Sequence, residues 1–174
     1  SALGVLGVYN LVKNKTVRII LAALYLIVTG LCLFNYLKDY YQKYPAKYAN
    51  DWQYGIKQIV EYLNKTRGVN SVWMTKERSQ PYIFFLYYLK TPLPEYLSSV
   101  KPNEGPTSGT NRISAFGKYH FGGWDAVESK PESGVYYVLT PYEYSGLKYI
   151  MQFNVLKIVK YPDGGDAFYI ITSP

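Results

Sequence analysis

Thiols and imidazoles are almost missing from this chain: its 174 residues include one cysteine, Cys32, and one histidine, His120. A lone cysteine closes no intramolecular disulfide, so cysteine usage identifies no redox compartment. The two side chains together fall short of the three or four thiolate or imidazole ligands of a zinc centre. Zinc hydrolysis and Cys–His nucleophilic chemistry are therefore set aside, and no metal or cofactor is expected. Acidic residues are also sparse, 12 against 19 lysines and arginines, which leaves a net charge of +7. Glu61, Glu77, Glu95, Glu128, Glu132 and Glu143 are scattered, and no spacing singles out a carboxylate pair for glycoside hydrolysis. Phosphate-loop spacing is absent. Gly4-Val5-Leu6-Gly7 lies in an apolar stretch with no strand before it, which argues against a dinucleotide loop. Asp163 and Asp166, with glycines between them, bring too few acidic oxygens for a calcium loop. No catalytic residue is assigned.

Charge is missing altogether from Ile19 to Leu37. Nineteen helical residues span about 28 Å, close to the hydrocarbon thickness of a bilayer, so 19–37 is expected to be a transmembrane helix. A cleaved signal peptide is the competing reading. The run is longer than a typical signal core, however, and no small-residue cleavage pair follows it. Lys13, Lys15 and Arg18 form a tighter basic cluster than the mixed residues beyond the run, which favours a cytoplasmic loop at 13–18 and an extracytoplasmic remainder. Residues 1–12 are apolar, with Ala2, Gly4 and Gly7 among them, and read as the end of a preceding membrane helix in a multi-pass parent.

What the chain has in excess is tyrosine, 21 residues against three tryptophans and seven phenylalanines. Tyr36, Tyr40, Tyr41, Tyr44 and Tyr48 crowd the exit of the span, and 38–50 is expected to lie at headgroup level. Lys38, Lys43 and Lys47 are positioned for anionic headgroups or a lipid-linked phosphate, with Tyr40 and Tyr41 beside them; a solvated juxtamembrane face is the alternative. The positive charge is too dispersed for a nucleic-acid footprint, and no nucleic-acid partner is expected. Asn14-Lys15-Thr16 and Asn64-Lys65-Thr66 match the glycosylation sequon, and the expected orientation leaves only Asn64 on the outer side.

Residues 51–174 read as an α/β domain. Asn50 or Asp51 caps a helix with Trp52, Ile56, Ile59, Val60 and Leu63 on one face, ended by Gly68. Val69 to Met74 is a short buried strand. Ser79 and Pro81 open a second helix over Tyr82 to Leu89 that is apolar on every side and so is expected to be enclosed, with Pro92 and Pro94 stopping it. Lys101 to Thr110 reads as a mobile loop. Strands are expected at Arg112 to Phe116, Tyr119 to Phe121, Val135 to Leu139 and Val155 to Tyr161, with a short helix from Pro141 toward Leu147. Asp163-Gly164-Gly165-Asp166 turns the chain into Ala167 to Thr172 as a C-terminal β-hairpin. The expected fold is an α/β sandwich with a mixed sheet behind an N-terminal transmembrane helix.

The most suggestive polar group is His120-Phe121-Gly122-Gly123-Trp124-Asp125. A glycine pair beside His120, Trp124 and Asp125 offers a ring for sugar stacking and polar groups for hydroxyls, with loop packing as the alternative. His120 and Asp125 have no nucleophile beside them and do not define a general base with its orienter.

Several of these segments resemble the C-terminal region of prokaryotic membrane glycosyltransferases of the dolichyl-phosphate-mannose-protein mannosyltransferase and aminoarabinose transferase type, in the GT-C superfamily. The resemblance is carried by Asp51-Trp52-Gln53-Tyr54-Gly55 after a last membrane helix, and by Pro81-Tyr82-Ile83 running through Pro92 to Tyr96. It continues in Val135 to Thr140 with Pro141 and Glu143, and in Tyr161-Pro162-Asp163-Gly164 with Ala167-Phe168-Tyr169-Ile170. It implies a parent enzyme that moves a sugar from a polyprenyl-phosphate donor to a protein or lipid acceptor outside the cytoplasm. The family's catalytic carboxylates lie in its first outer loop, and no position here matches them, so this chain would be a noncatalytic part that helps either to cover the active cavity or, on the acceptor side, to receive the acceptor. Two readings from other classes stand beside it. One is a single-pass, membrane-anchored α/β protein that binds a ligand or partner; the other is a hydrolase behind a signal anchor.

Overall fold

The computed structural model describes Gly4, Gly7 and residues 12–103, 113–123 and 132–173. Two compact units divide at Pro45 and Ala46. In the first, helix α1 runs over Lys15–Lys38 and a π-helical turn over Asp39–Lys43; the short helix α2, Tyr44–Lys47, straddles the division. Asn14 caps α1 by accepting a hydrogen bond from the Thr16 N–H at 2.9 Å. The basic segment expected as a loop at 13–18 is thus helical from Lys15 onward, because a good N-cap at Asn14 starts the helix before the apolar run does. At 1.5 Å per residue, α1 alone is about 36 Å long. No residue of α1 is buried, and among the described residues the run Lys15–Lys47 is the one helix long and apolar enough to cross a membrane. Tyr36, Tyr40 and Tyr44 recur every four residues and stack in sequence, with centroids 6.1 and 5.7 Å apart. The segment proposed to end a preceding helix lies outside the described residues except for Gly4, Gly7 and Val12.

The second unit is an open seven-stranded mixed sheet with helices on both sides. Helix α3 spans Ile56–Lys65, β1 Ser71–Thr75, α4 Pro81–Leu89, α5 Leu93–Ser99, β2 Lys101–Pro102, β3 Ile113–Phe116 and β4 Tyr119–Gly122. Strand β5 spans Val135–Leu139, α6 Pro141–Ser145, β6 Asn154–Lys160 and β7 Asp166–Thr172, with a 3₁₀ turn at Ile150–Gln152. The strand order is β2-β3-β4-β1-β5-β7-β6. Strand β1 pairs in parallel with both β4 and β5, while β2-β3-β4 and β5-β7-β6 are antiparallel. The expected α/β architecture with a mixed sheet and a terminal hairpin is what forms.

Three differences from the sequence reading have local causes. Helix α3 begins at Ile56, not near Asp51. Gly55 precedes it at φ 98°, where a Cβ would approach Val159 and Phe168 to 3.1–3.3 Å, and this left-handed turn stops the helix from extending backward. Trp52 therefore sits in a turn, 68% exposed, and leaves the buried helix face to Ile56, Ile59, Val60 and Leu63. Pro92 and Pro94 end one helix and begin another, since Pro94 occupies the first turn of α5, where a missing N–H costs nothing. Lys101 and Pro102 pair with β3 as a short strand, and residues 104–110 of the expected loop lie outside the described residues.

The core forms under α3, α4 and α5. Phe85 is fully buried and packs edge-on against Tyr119 and Phe121, with centroids 5.1 and 5.4 Å apart. Val72, Met74, Val138, Phe168 and Ile170 complete that side. On the opposite side Tyr137, Leu139 and Ile171 are covered by Leu147 and Phe153, with Tyr144 stacked flat on Tyr169 at 4.2 Å.

Candidate functional site

The three parallel strands β4, β1 and β5 end side by side at Gly122, Thr75 and Leu139. After β1 the chain goes to one side and returns as β4; it then reappears on the other side of β1 as β5. Such a reversal at the carboxyl ends leaves a crevice that the helices do not fill. Here the crevice is lined by Trp73, Met74, Thr75, Gly122, Gly123, Leu139 and Glu143, and its enclosed part measures about 10 Å3, room for one water.

Glu143 organises its floor. The Thr75 hydroxyl, on a side chain 3% exposed, donates to Glu143 Oε1 at 2.7 Å and accepts from the Glu77 N–H at 3.1 Å. Glu143 Oε2 accepts from the Thr140 N–H at 2.8 Å and the Thr140 hydroxyl at 2.9 Å, which closes the capping box of α6. A carboxylate holding three donors is committed to positioning, and it joins the ends of β1 and β5. Beside it, a Cβ on Gly123 would lie 3.2 Å from Lys76 Nζ, so glycine leaves space for that ammonium at the crevice rim.

Two residues back along the strands, Trp73 is paired with His120 of β4 and with Tyr137 of β5. The Trp73 and His120 rings stack 4.8 Å apart at 12°. Burial holds the His120 imidazole below its ordinary pKa; nearby Lys101 adds to this and Glu132 opposes it. His120 lies in β4, where the strand expected over Tyr119 to Phe121 placed it, with Trp73 as its ring partner. Trp124 and Asp125 lie outside the described residues. Trp73 was not singled out by sequence; its signal was the alternation in Ser71–Thr75, which puts it on the face opposite Val72 and Met74. Burial likewise raises the Tyr137 hydroxyl above its usual range, and that hydroxyl accepts from the Glu132 N–H at 2.9 Å.

The residues expected at the headgroups all lie on the long helix or its end. Lys43 pairs with Asp39 at 2.7 Å, and Lys47 lies 5.3 Å over the Tyr48 ring. A separate shallow cleft of about 260 Å3 runs between α3 and β6, lined by Gln58, Glu61, Tyr62, Lys65, Thr66 and Lys157. Among the described residues no group of three His, Cys, Asp or Glu side chains forms a metal site. The crevice offers the Trp73 ring, a Thr75–Glu143 pair already bonded to each other and the Lys76 ammonium at its rim, without a nucleophile and base in contact. No protein-family model matches the chain, and neither a curated protein nor a solved structure matches it.

Proposed function

We propose that this chain is the terminal membrane helix and extracytoplasmic domain of a multi-pass glycosyltransferase that takes its sugar from a polyprenyl phosphate, and that this part holds the acceptor. The observation that carries the reading is the succession of a 33-residue helical run whose uncharged stretch is unburied and an open α/β sheet with a crevice that Trp73 lines. The sequence segments that resemble such transferases fall on those elements: Tyr54 and Gly55 lead into α3, Pro81 starts α4, and Glu143 holds the crevice floor. Basic Lys13, Lys15 and Arg18 orient the helix with its start in the cytoplasm. Sugar rings and extended acceptors both use aromatic faces, and Trp73 with His120 supplies one.

A second reading, a single-pass anchored protein that binds a small ligand, is favoured by the crevice alone. The two separate in one experiment. In source-cell membranes, transfer from a polyprenyl-phosphate sugar is measured with the gene intact, with the gene ending at Pro45, and with Trp73→Phe and His120→Gln. The transferase reading predicts loss of transfer on truncation and a rise in acceptor KM in the point variants at unchanged donor KM. Full transfer by the truncated form overturns it.

A further inference from the structure

Helix α4 is apolar on every side in sequence, yet the fold does not enclose it. Pro81 and Phe85 are buried, whereas Ile83, Tyr87 and Lys90 fall at i, i+4 and i+7 and face outward, the first two 47% and 74% exposed. Helix α5 repeats the pattern with Leu93 and Leu97, 65% and 61% exposed. Both helices lie on the same side of the sheet. Phe85 packs on Phe121, Tyr96 of α5 packs on Phe116 at 5.7 Å, and Phe116 stacks on Phe121 at 5.7 Å. Their outward residues therefore point away from the sheet together. The turn that carries Trp52 is pinned to the start of α4: Gln53 Nε2 donates to the Ser79 carbonyl at 3.0 Å, and the Arg78 guanidinium donates to the Asn50 carbonyl at 3.2 Å. The neighbouring helix α3, in the same layer, instead shows solvent Lys57 and Glu61, 3.9 Å apart.

We infer that the outer face of α4 and α5, with Trp52, rests on the surface of the lipid bilayer. Several exposed aliphatic and aromatic side chains side by side on a folded unit mark a docking face. Its make-up of tryptophan, tyrosine and aliphatic side chains beside Lys90 is that of a membrane interface. The occupant follows from the chain itself. Trp52 comes 15 residues after Leu37, the last residue of the uncharged run, and ten helical residues followed by five more reach at most about 33 Å. A tether that short keeps the local concentration of lipid surface high, so weak apolar contacts suffice for docking. One outward cation, Lys90, and one outward anion, Glu95, give the face no net charge with which to select a strongly acidic or basic partner.

The inference rests on the Lys15–Lys47 helix crossing the bilayer, and the test separates the two. The full chain is placed in phosphatidylcholine nanodiscs, and single spin labels are read for collision with oxygen, which concentrates in lipid, and with a nickel chelate, which stays in water. The labels sit on native Cys32 and, in a Cys32→Ser background, on Tyr87→Cys, Leu97→Cys and Glu61→Cys, all exposed positions. Docking predicts that Cys32, Tyr87 and Leu97 positions favour oxygen several-fold over the Glu61 position, and that adding Ile83→Asp and Leu93→Asp removes the preference at Leu97. Water-like labels at Tyr87 and Leu97 with a lipid-like Cys32 overturn the docking and leave the anchor standing. A water-like Cys32 overturns the anchor as well. Labels shielded from both reagents and broadened by one another place a second copy on the face, which also overturns the inference.

Discussion

Helices α3 and α4 perform the same structural task on the same sheet, and their outer faces differ completely. Each presses a row of apolar side chains onto the strands: Ile56, Ile59, Val60 and Leu63 from α3, Pro81 and Phe85 from α4. Away from the sheet, α3 carries Lys57 and Glu61, whereas α4 carries Ile83 and Tyr87 with Lys90 only at its end. Folding requires only the inner rows, so the outer row of α4 records a demand from outside the fold. Amphipathic periodicity reads the task that the two helices share, and departure from it reads what they do not share.

The comparison breaks first if the inner rows are unequal. Phe85→Ala and Leu63→Ala, both at completely buried positions, are each expected to cost about 3–5 kcal/mol in denaturant unfolding of the reconstituted chain. A Phe85→Ala cost under about 1 kcal/mol would mean that α4 is only loosely seated and that its exposed residues reflect poor packing. On the opposite side of the sheet, Glu143→Ala removes the acceptor of three hydrogen bonds and leaves the buried Thr75 hydroxyl without an acceptor for its proton. A loss of about 2 kcal/mol is expected in the same unfolding measurement. Glu143→Gln keeps one acceptor and should recover part of it.

A smaller effect is expected from pH. Burial depresses the His120 pKa in the folded chain below its ordinary 6.5, so the unfolded chain binds the proton first. Stability should therefore decline as pH falls below about 6.5, and the decline should be shallower in His120→Gln. Equal slopes for the two proteins would remove His120 from the pH response. The smallest effects belong to the outer rows. Glu61→Ala breaks an exposed pair and Tyr87→Asp alters an exposed ring, so each should change stability by no more than about 0.5 kcal/mol. Only Tyr87→Asp should weaken contact with lipid, read as label collision at Leu97. Equal lipid contact in both variants would erase the distinction between the helices.

Much of this fold was legible from residue order. The uncharged run, the strands around Val72 and Val138, and the hairpin at Asp163–Asp166 all formed where periodicity and turn chemistry put them. What escaped was set by single residues with non-local effects. Gly55, shaped by contact with Val159 and Phe168 far along the chain, moved the start of α3 and exposed Trp52. The site was legible only in part. His120 was picked out as the lone imidazole, but its partner Trp73 comes from a strand 47 positions earlier, joined by a parallel register that no local pattern encodes. Thr75 and Glu143, 68 residues apart, meet for the same reason: the crossover around β1 brings strand ends together.

The claim beneath all of this is that the sheet and its crevice stand outside the cytoplasm, anchored by the helix that begins at Lys15. A compartment-sensitive reporter fused after Pro174 in intact cells tests it most directly. The account predicts activity on the extracytoplasmic side, with protease added outside the cells releasing the reporter. A reporter that is active in the cytoplasm and resists external protease would contradict it.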